Sequence, residues 1–377
     1  MIYLDNAATT LQKPPRAARA VVRAMGRAGG AGRGGHEAAL YSAEILYACR
    51  EAAAGLFHVS DPARVIFTSN ATHALNTAIK GLTPPGGHVV TSGFEHNAVV
   101  RPLHALAARG VTVEHLPTPL FEPEVALHQF EQALLRGNVS LAVCVHVSNV
   151  FGYVLPVERL AELCARHAVP LVVDASQSAG CQDIDAEATA GVYWCMPGHK
   201  GLYGPQGTGL LLLPENERLG PLLEGGTGSN SISEDMPDFP PDRLEAGTLN
   251  AHGAAGLLEG LRFIRERGLA AIRRHEIAML ALCAAALGKN RRLRLYTAPG
   301  YFCQSAVLSF TVDGLSSEAA AQKLAERGVA VRAGLHCAPL AHQAADTYPD
   351  GTVRVSVSAF TTGADIDRLA AAVRQIL

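Results

Sequence analysis

Within the 377-residue chain, one segment calls for a chemical explanation: Met196-Pro197-Gly198-His199-Lys200-Gly201-Leu202-Tyr203-Gly204-Pro205-Gln206-Gly207-Thr208-Gly209. A single lysine in a Gly- and Pro-rich turn between two apolar strands is badly placed for a solvated charge. The glycines let the backbone approach something closely. Lys200 therefore reads as a reactive amine, although taken alone an ordinary loop lysine accounts for it too. Upstream, Leu171-Val172-Val173-Asp174-Ala175-Ser176-Gln177 ends an apolar run with a carboxylate, and the carboxyl ends of parallel strands are where open α/β sheets bind ligands. Asp174 suits pairing with a protonated ring nitrogen and Gln177 suits donation to a ring oxygen; a helix N-cap is the competing reading of Asp174. Phe67 to Asn76 runs from a strand into a helix whose first turn is small and polar, a setting for a phosphate. His96 in Phe94-Glu95-His96-Asn97 follows a further apolar run, where an imidazole can stack on a ring, and Asn149 in Ser148-Asn149-Val150 follows another in the same way.

These residues need strands and turns to bring them together. From about Arg64 to Leu213, short β-branched runs alternate with amphipathic stretches, the pattern of a mainly parallel sheet wound with helices. Strands are predicted at 65–67, 89–91, 111–113, 141–147, 171–173 and 209–213, with helices near 71–81, 98–109, 123–135 and 157–167. Beyond Asn250 the chain turns to long Ala-, Leu- and Arg-rich helical stretches, then strands at 305–311, 329–332 and 352–357 and a closing helix over 366–377. The expected organisation is a large α/β domain over 15–250 and a smaller α+β domain made of 1–14 with 251–377. Gly26 to Gly35 holds six glycines but no Gly-Lys-Ser/Thr follows, so it reads as a mobile or tightly turned loop rather than a phosphate cradle.

Composition sets the outer bounds. With 48% hydrophobic and 18% charged residues the chain can bury a large core, and its length suggests about two domains. Lys and Arg number 32 against 34 Asp and Glu, a net charge of -2, which gives no global field for nucleic acid or an anionic membrane. Met1 to Asn6 lacks the basic region and apolar run of a signal peptide, and no apolar stretch is long enough to span a bilayer, so a cytoplasmic location is expected. Eight scattered cysteines without a CxxC pair argue against a disulfide framework and a structural zinc site. Most read as small buried hydrophobes, with Cys337 set apart.

The ordered series Tyr3-Leu4-Asp5-Asn6-Ala7-Ala8, Thr68 to Thr72, Glu95-His96-Asn97, Ser148-Asn149-Val150, Asp174 to Gln177, Gly198-His199-Lys200, Glu245-Ala246-Gly247-Thr248 and Arg332 to Cys337 resembles the class V aminotransferase and cysteine desulfurase family over nearly the whole chain. The lysine motif and Arg332-Ala333-Gly334-Leu335-His336-Cys337-Ala338 are its most specific parts. The resemblance implies the aspartate aminotransferase-like fold, fold type I, of transferases that use pyridoxal 5′-phosphate. It implies that Lys200 carries this cofactor as a Schiff base, that Asp174 pairs with the ring nitrogen, and that Gln177 meets the phenolic oxygen. His96 would stack on the ring, while Ala71, Thr72 and His199 would hold the phosphate. Asn149 and Arg354 match residues that orient the substrate carboxylate, and Arg332 would border the nucleophile. Enzymes of this kind share active sites between two subunits, so a homodimer is expected, with Gly225-Gly226-Thr227-Gly228-Ser229 reaching the partner's phosphate.

Cys337 matches the persulfide-forming cysteine, in a context similar to the selenocysteine lyase-like branch, where it sits on a short, fairly ordered loop. A thiolate must attack the substrate sulfur, and a neighbouring arginine favours the ionised form. A metal site built from His336, Cys337 and His342 would lack a fourth ligand, and a buried inert cysteine is the other competing reading. The expected activity converts L-cysteine to L-alanine with sulfur passed to Cys337 as a persulfide and onward to a sulfur-acceptor protein. Transamination, selenocysteine cleavage and C–S lysis use the same kind of pocket. A catalytically silent scaffold would have no chemical need for Lys200, Asp174, Gln177 and His96 together. Two positions depart from the family pattern. Pro197 offers neither hydroxyl nor N–H where many relatives carry Ser or Thr, so a phosphate donor is missing. Thr361 and Thr362 stand where relatives often have Asn-Thr, which puts a minor structural contact in doubt.

Overall fold

The computed structural model describes residues 1–31, 34–217 and 219–377. Its first elements are β1 (Ile2–Tyr3), α1 (Pro15–Met25), α2 (Glu37–Leu56), β2 (Val65–Thr68), α3 (Ala71–Leu82), β3 (His88–Thr91), α4 (Asn97–Ala107) and β4 (Thr112–His115). There follow α5 (Pro123–Leu135), β5 (Leu141–Val145), α6 (Val157–Arg166), β6 (Leu171–Asp174), β7 (Val192–Pro197) and β8 (Gly209–Leu212). The remainder comprises α7 (Ala251–Arg267), α8 (Leu269–Leu287), β9 (Leu293–Tyr296), β10 (Val307–Val312), α9 (Ser317–Ala325), β11 (Val329–Ala330), β12 (Arg332–Gly334), α10 (Pro339–Ala344), β13 (Thr352–Ser356) and α11 (Gly363–Ile376).

Seven strands form one sheet in the order β2-β8-β7-β6-β5-β3-β4, in which β8 alone runs against its neighbours. The runs Leu141 to Val145 and Leu171 to Asp174 are apolar without alternation and buried throughout, as a parallel sheet covered on both faces requires. One face packs on α2, α5 and α6 and the other on α3 and α4. The chain leaves β3 toward β4 and returns on the other side of β3 as β5. A reversal of this kind opens a crevice at the carboxyl ends of the strands.

A second, antiparallel sheet has the order β12-β13-β10-β9 and a core around Leu308, Phe310 and Val353. The N-terminus lies against this half: β1 pairs in parallel with β11, and Asp5 bridges to Ser356. Helix α7 turns the other way, placing Leu257, Leu261 and Ile264 in the core shared with α1 and α2.

Several expectations need correction. The single strand predicted over 329–332 is two, because β11 bonds to β1 while β12 bonds to β13, and the chain changes partner at Val331. The run predicted to Val147 leaves the sheet after Val145; Ser148 and His146 exchange bonds with Tyr153 and Leu155 instead. Strands β1 and β9 and helices α1, α2, α9 and α10 lie where no element was assigned, and β7 is the strand expected before the Lys200 turn. In the glycine-rich run, Gly32 and Arg33 lie outside the described residues; past it, α2 begins with the N–H of Ala39 donating to His36 Nδ1 at 3.3 Å. The doubtful pair Thr361-Thr362 is well used: Thr361 Oγ1 accepts the N–H of Ser358 at 3.0 Å, and Thr362 forms a reciprocal capping box with Asp365 at the start of α11.

Backbone-on-backbone packing seats the Lys200 turn. Gly180 has φ +88°, and a Cβ there would collide with the carbonyl of Gly201; a Cβ on Gly201 would collide with that of Ala179. Glycine is required at both positions for space, and at Gly180 also for its left-handed conformation.

Candidate active site

Four neighbouring parallel strands each deliver one polar residue to the crevice. His96 follows β3, Asn149 follows β5, Asp174 ends β6 and Lys200 follows β7. With Ala71, Thr72, Gln177, His199, Arg332 and Arg354 they line one cavity of about 230 Å³, whose walls also include Pro197 and His336. Ten of the eleven residues singled out from the sequence thus meet in a single space, and the eleventh, Cys337, stands at its Arg332 wall.

Asp174 is 2% exposed, and one of its oxygens accepts the N–H of Ser176 at 2.9 Å. Gln177 commits one amide N–H to the carbonyl of Ala7 at 2.8 Å, which ties the N-terminal segment to the cavity wall and leaves the other N–H for a ligand. His96 caps α4: its Nδ1 accepts the N–H of Ala98 at 3.0 Å, so a neutral ring carries its proton on Nε2. Burial holds this imidazole neutral by pushing its pKa down to about 4, against the pull of Asp174. The Lys200 amine is pushed down to about 8 by burial; Asp174 and Cys337 oppose the shift, while Arg354 and Arg332 add to it. A lysine so placed has a far larger neutral, nucleophilic fraction near pH 7–8 than a surface one. Asn70 caps α3 by accepting the N–H of His73 at 2.9 Å, so Ala71 and Thr72 stand in the helix's open first turn.

The small sheet supplies the other wall. Arg332 on β12 lies directly opposite Arg354 on β13. Two like charges in that register repel, and among the described residues only Arg354 has a carboxylate partner. Arg354 is 1% exposed, pairs with the Asp5 carboxylate at 2.6 Å and donates to the carbonyl of Asn149 at 3.0 Å. Asn149 in turn donates to the carbonyl of His336 at 2.8 Å, while its Oδ1 is buried and without a partner among the described residues. Arg332 reaches toward the Cys337 sulfur at 3.8 Å.

Of the eight cysteines, seven are buried and Cys337 is exposed. It follows His336 in a left-handed pair, φ +50° and +58°, a conformation non-glycine residues adopt only where neighbours hold them. Two bonds do so: the N–H of Asn97 donates to the Cys337 carbonyl at 2.7 Å, and Asn149 holds the carbonyl before it. The Cys337 loop is thereby fastened to the loops that follow β3 and β5.

Some contributors have no signal in residue type alone. Asp5, quoted only as part of a motif, is the counter-charge of Arg354. Glu95 is fully buried, accepts from Ser92 Oγ at 2.5 Å and the N–H of Val145 at 2.8 Å, and is pushed up to about 8 by burial. Glu245 of the Glu-Ala-Gly-Thr motif is a structural anchor, paired with Arg50 and accepting the N–H of Phe67. The donor set as a whole fits pyridoxal phosphate: a helix N-terminus for an anion, a buried carboxylate for a ring nitrogen, an imidazole beside the ring, and an amine of lowered pKa. Pro197 lines the cavity without offering a donor.

Comparison with known proteins agrees with this geometry. The aminotransferase class-V family model matches residues 2–369. A protein named probable cysteine desulfurase from Methanothermobacter thermautotrophicus is 31% identical over 388 residues, covering all of this chain and 94% of its own length. A cysteine desulfurase of Synechococcus elongatus is also 31% identical, over 393 residues, and this chain spans 60% of that protein's length. Among solved structures, the apo form of a cysteine desulfurase from Thermococcus onnurineus NA1 superposes with a TM-score of 0.91 at 27% identity, covering 100% of this chain and 94% of that one. An Escherichia coli cysteine desulfurase bearing an S-sulfonic acid gives 0.88 at 26% identity, covering 99% and 94%. With a fold, a lysine turn and a family model that agree over nearly its entire length, the chain belongs to the class V aminotransferase family, whose enzymes work with pyridoxal 5′-phosphate.

Proposed function

We propose that this protein is a cysteine desulfurase: it removes sulfur from L-cysteine, releases L-alanine and keeps the sulfur on Cys337 as a persulfide. The observation that carries the reading is the one exposed cysteine, 3.8 Å from Arg332, at the wall of a cavity that contains Lys200 and Asp174. Lys200 would hold the cofactor covalently, Asp174 would keep its ring nitrogen protonated, His96 would lie against the ring, Gln177 would donate to the ring oxygen, and Ala71, Thr72 and His199 would hold the phosphate. Bound there, pyridoxal phosphate supplies an electron sink for the carbon that bears the substrate amine. Arg354 and Asn149 orient the substrate carboxylate, Asn149 through the amide N–H other than the one it gives to the His336 carbonyl. With its amine free, Lys200 would take the proton from the substrate α-carbon. The Cys337 thiolate then attacks the substrate sulfur, the S–S bond forms as the C–S bond breaks with its electron pair left on the substrate β-carbon, and alanine results when that carbon takes up a proton and Lys200 returns to the α-carbon the proton it removed. A sulfur-acceptor protein then receives sulfur from the persulfide.

We read the chain as a large unit and a small one, with α7 counted with the large unit because of its packing on α1 and α2. The protein acts as a homodimer in the cytoplasm. No helix among the described residues is long and apolar enough to cross a membrane. The stretch around Gly225 to Ser229 supports the dimer, since Leu223, Ile232 and Phe239 are 57%, 99% and 48% exposed, and such side chains together suit a covering partner. Light scattering is expected to give twice the mass of the chain; a monomer with full cofactor occupancy would remove the shared-site reading.

Lys200 is the residue to which borohydride should permanently attach the cofactor. In protein stripped of cofactor, an amine with a pKa lowered from 10.5 to about 8 is increasingly neutral above that value. Cofactor capture should therefore accelerate with rising pH around a midpoint near 8. A midpoint near that of a free lysine, or labelling of another lysine by peptide mapping, contradicts the assignment.

Cys337→Ala should bind pyridoxal phosphate and L-cysteine with unchanged spectra, since Lys200, Asn149 and Arg354 are intact. Its alanine release should fall by about two orders of magnitude or more, with no persulfide on the protein. Alanine release at the parent rate would make Cys337 a structural residue and favour a transaminase or lyase.

A further inference from the structure

We propose that Thr9 is a positioning residue that selects the imidazole tautomer with which His199 binds the cofactor's phosphate, an inference that rests on the pyridoxal phosphate reading above. The Thr9 hydroxyl lies 3.0 Å from His199 Nδ1 and 3.2 Å from the carbonyl oxygen of the same residue. It has a single proton to give. The carbonyl already receives the N–H of Thr10 at 3.2 Å and Lys13 Nζ at 3.2 Å, and the Thr10 hydroxyl divides between it at 3.0 Å and the Lys200 carbonyl at 3.1 Å. Two lone pairs are amply served by those donors, so the proton of Thr9 is surplus there and goes to Nδ1. The Tyr3 hydroxyl, donating to the Thr9 carbonyl at 2.8 Å, holds the backbone of Thr9 in place for that contact.

The consequence falls on the far side of the ring. Burial, with Lys200 and Lys13 close by, pushes His199 down to about 4, so near pH 7 the imidazole is neutral and has one N–H. With Nδ1 accepting from Thr9, that N–H is on Nε2, and His199 lines the cavity alongside Ala71 and Thr72 of the helix N-terminus. A phosphate can only accept. The Nε2–H tautomer donates to it, whereas the Nδ1–H tautomer would present a lone pair to an anion. Pro197 sharpens this dependence, because the same wall lacks the hydroxyl that would otherwise share the task.

Thr9→Val removes the hydroxyl and keeps the branched shape, and Thr9→Ser keeps the hydroxyl. Dissociation constants for pyridoxal 5′-phosphate and for pyridoxal, which lacks the phosphate, are read by absorbance titration of parent and variants. Thr9→Val should bind the phosphorylated form about tenfold more weakly, with pyridoxal changed by roughly twofold or less and Thr9→Ser close to the parent. Equal weakening of both forms, or unchanged affinity for the phosphorylated one, overturns the proposal. The tautomer can also be read in the parent holoprotein by nitrogen NMR of labelled histidine: a protonated Nε2 on His199 supports the proposal and a protonated Nδ1 overturns it. Parent protein that bound pyridoxal phosphate no more tightly than pyridoxal would remove the phosphate reading itself, and this inference with it.

Discussion

Two arginines placed opposite each other in adjacent strands of the small sheet are the constraint on which the site depends. Arg332 and Arg354 share a face, and their repulsion is tolerated because Asp5 neutralises one of them while the other stays uncompensated beside a thiol. The arrangement leaves net positive charge at the wall of the cavity, which suits an anionic group. It also determines assembly. Arg354 can be buried only if Asp5 on the N-terminal segment and the Asn149 carbonyl after β5 are both in place. Removing one partner of a buried ion pair strands the other at a cost of about 3–5 kcal/mol. One guanidinium therefore joins the N-terminus, the large sheet and the small sheet.

Around that clamp the two sheets divide the chemistry. The large sheet contributes groups that suit a cofactor: an amine of lowered pKa after β7, a buried carboxylate on β6, a neutral imidazole after β3 and a helix N-terminus at α3. The small sheet contributes groups that suit the substrate: two cations and an exposed thiol on a strained turn. Bonds from Asn97 and Asn149 to the backbone of Cys337 and His336 hold the second set in register with the first. The left-handed pair at residues 336 and 337 is affordable because these bonds over-determine it.

The cofactor side was legible in the sequence because parallel strands write their ends plainly. An unbroken apolar run followed by a polar residue marks both a strand and its carboxyl edge, which places Asp174 at a strand end from sequence, while Lys200 is marked by its Gly- and Pro-rich turn. Helix α5, expected near 123–135, has those limits and carries a proline at its first position. What could not be read depends on partners distant in sequence. Asp5 becomes the counter-ion of Arg354 only after 349 intervening positions are folded. The run at 329–332 divides between two sheets because β1 competes for its first half, and nothing local announces that competition. Glu95 and Glu245 look alike as carboxylates in motifs, yet both are buried anchors whose partners are backbone N–H groups and Arg50.

The central claim, that sulfur leaves the substrate for Cys337, is tested most directly by a single turnover. Holoprotein mixed with one equivalent of L-cysteine, in the absence of any reductant or acceptor, is analysed for free alanine and by intact-mass and peptide mass spectrometry. The account predicts one alanine per active site and a protein heavier by one sulfur atom, located on the peptide containing Cys337. Alanine with no added sulfur on that peptide, or pyruvate and free sulfide in place of alanine, would contradict it.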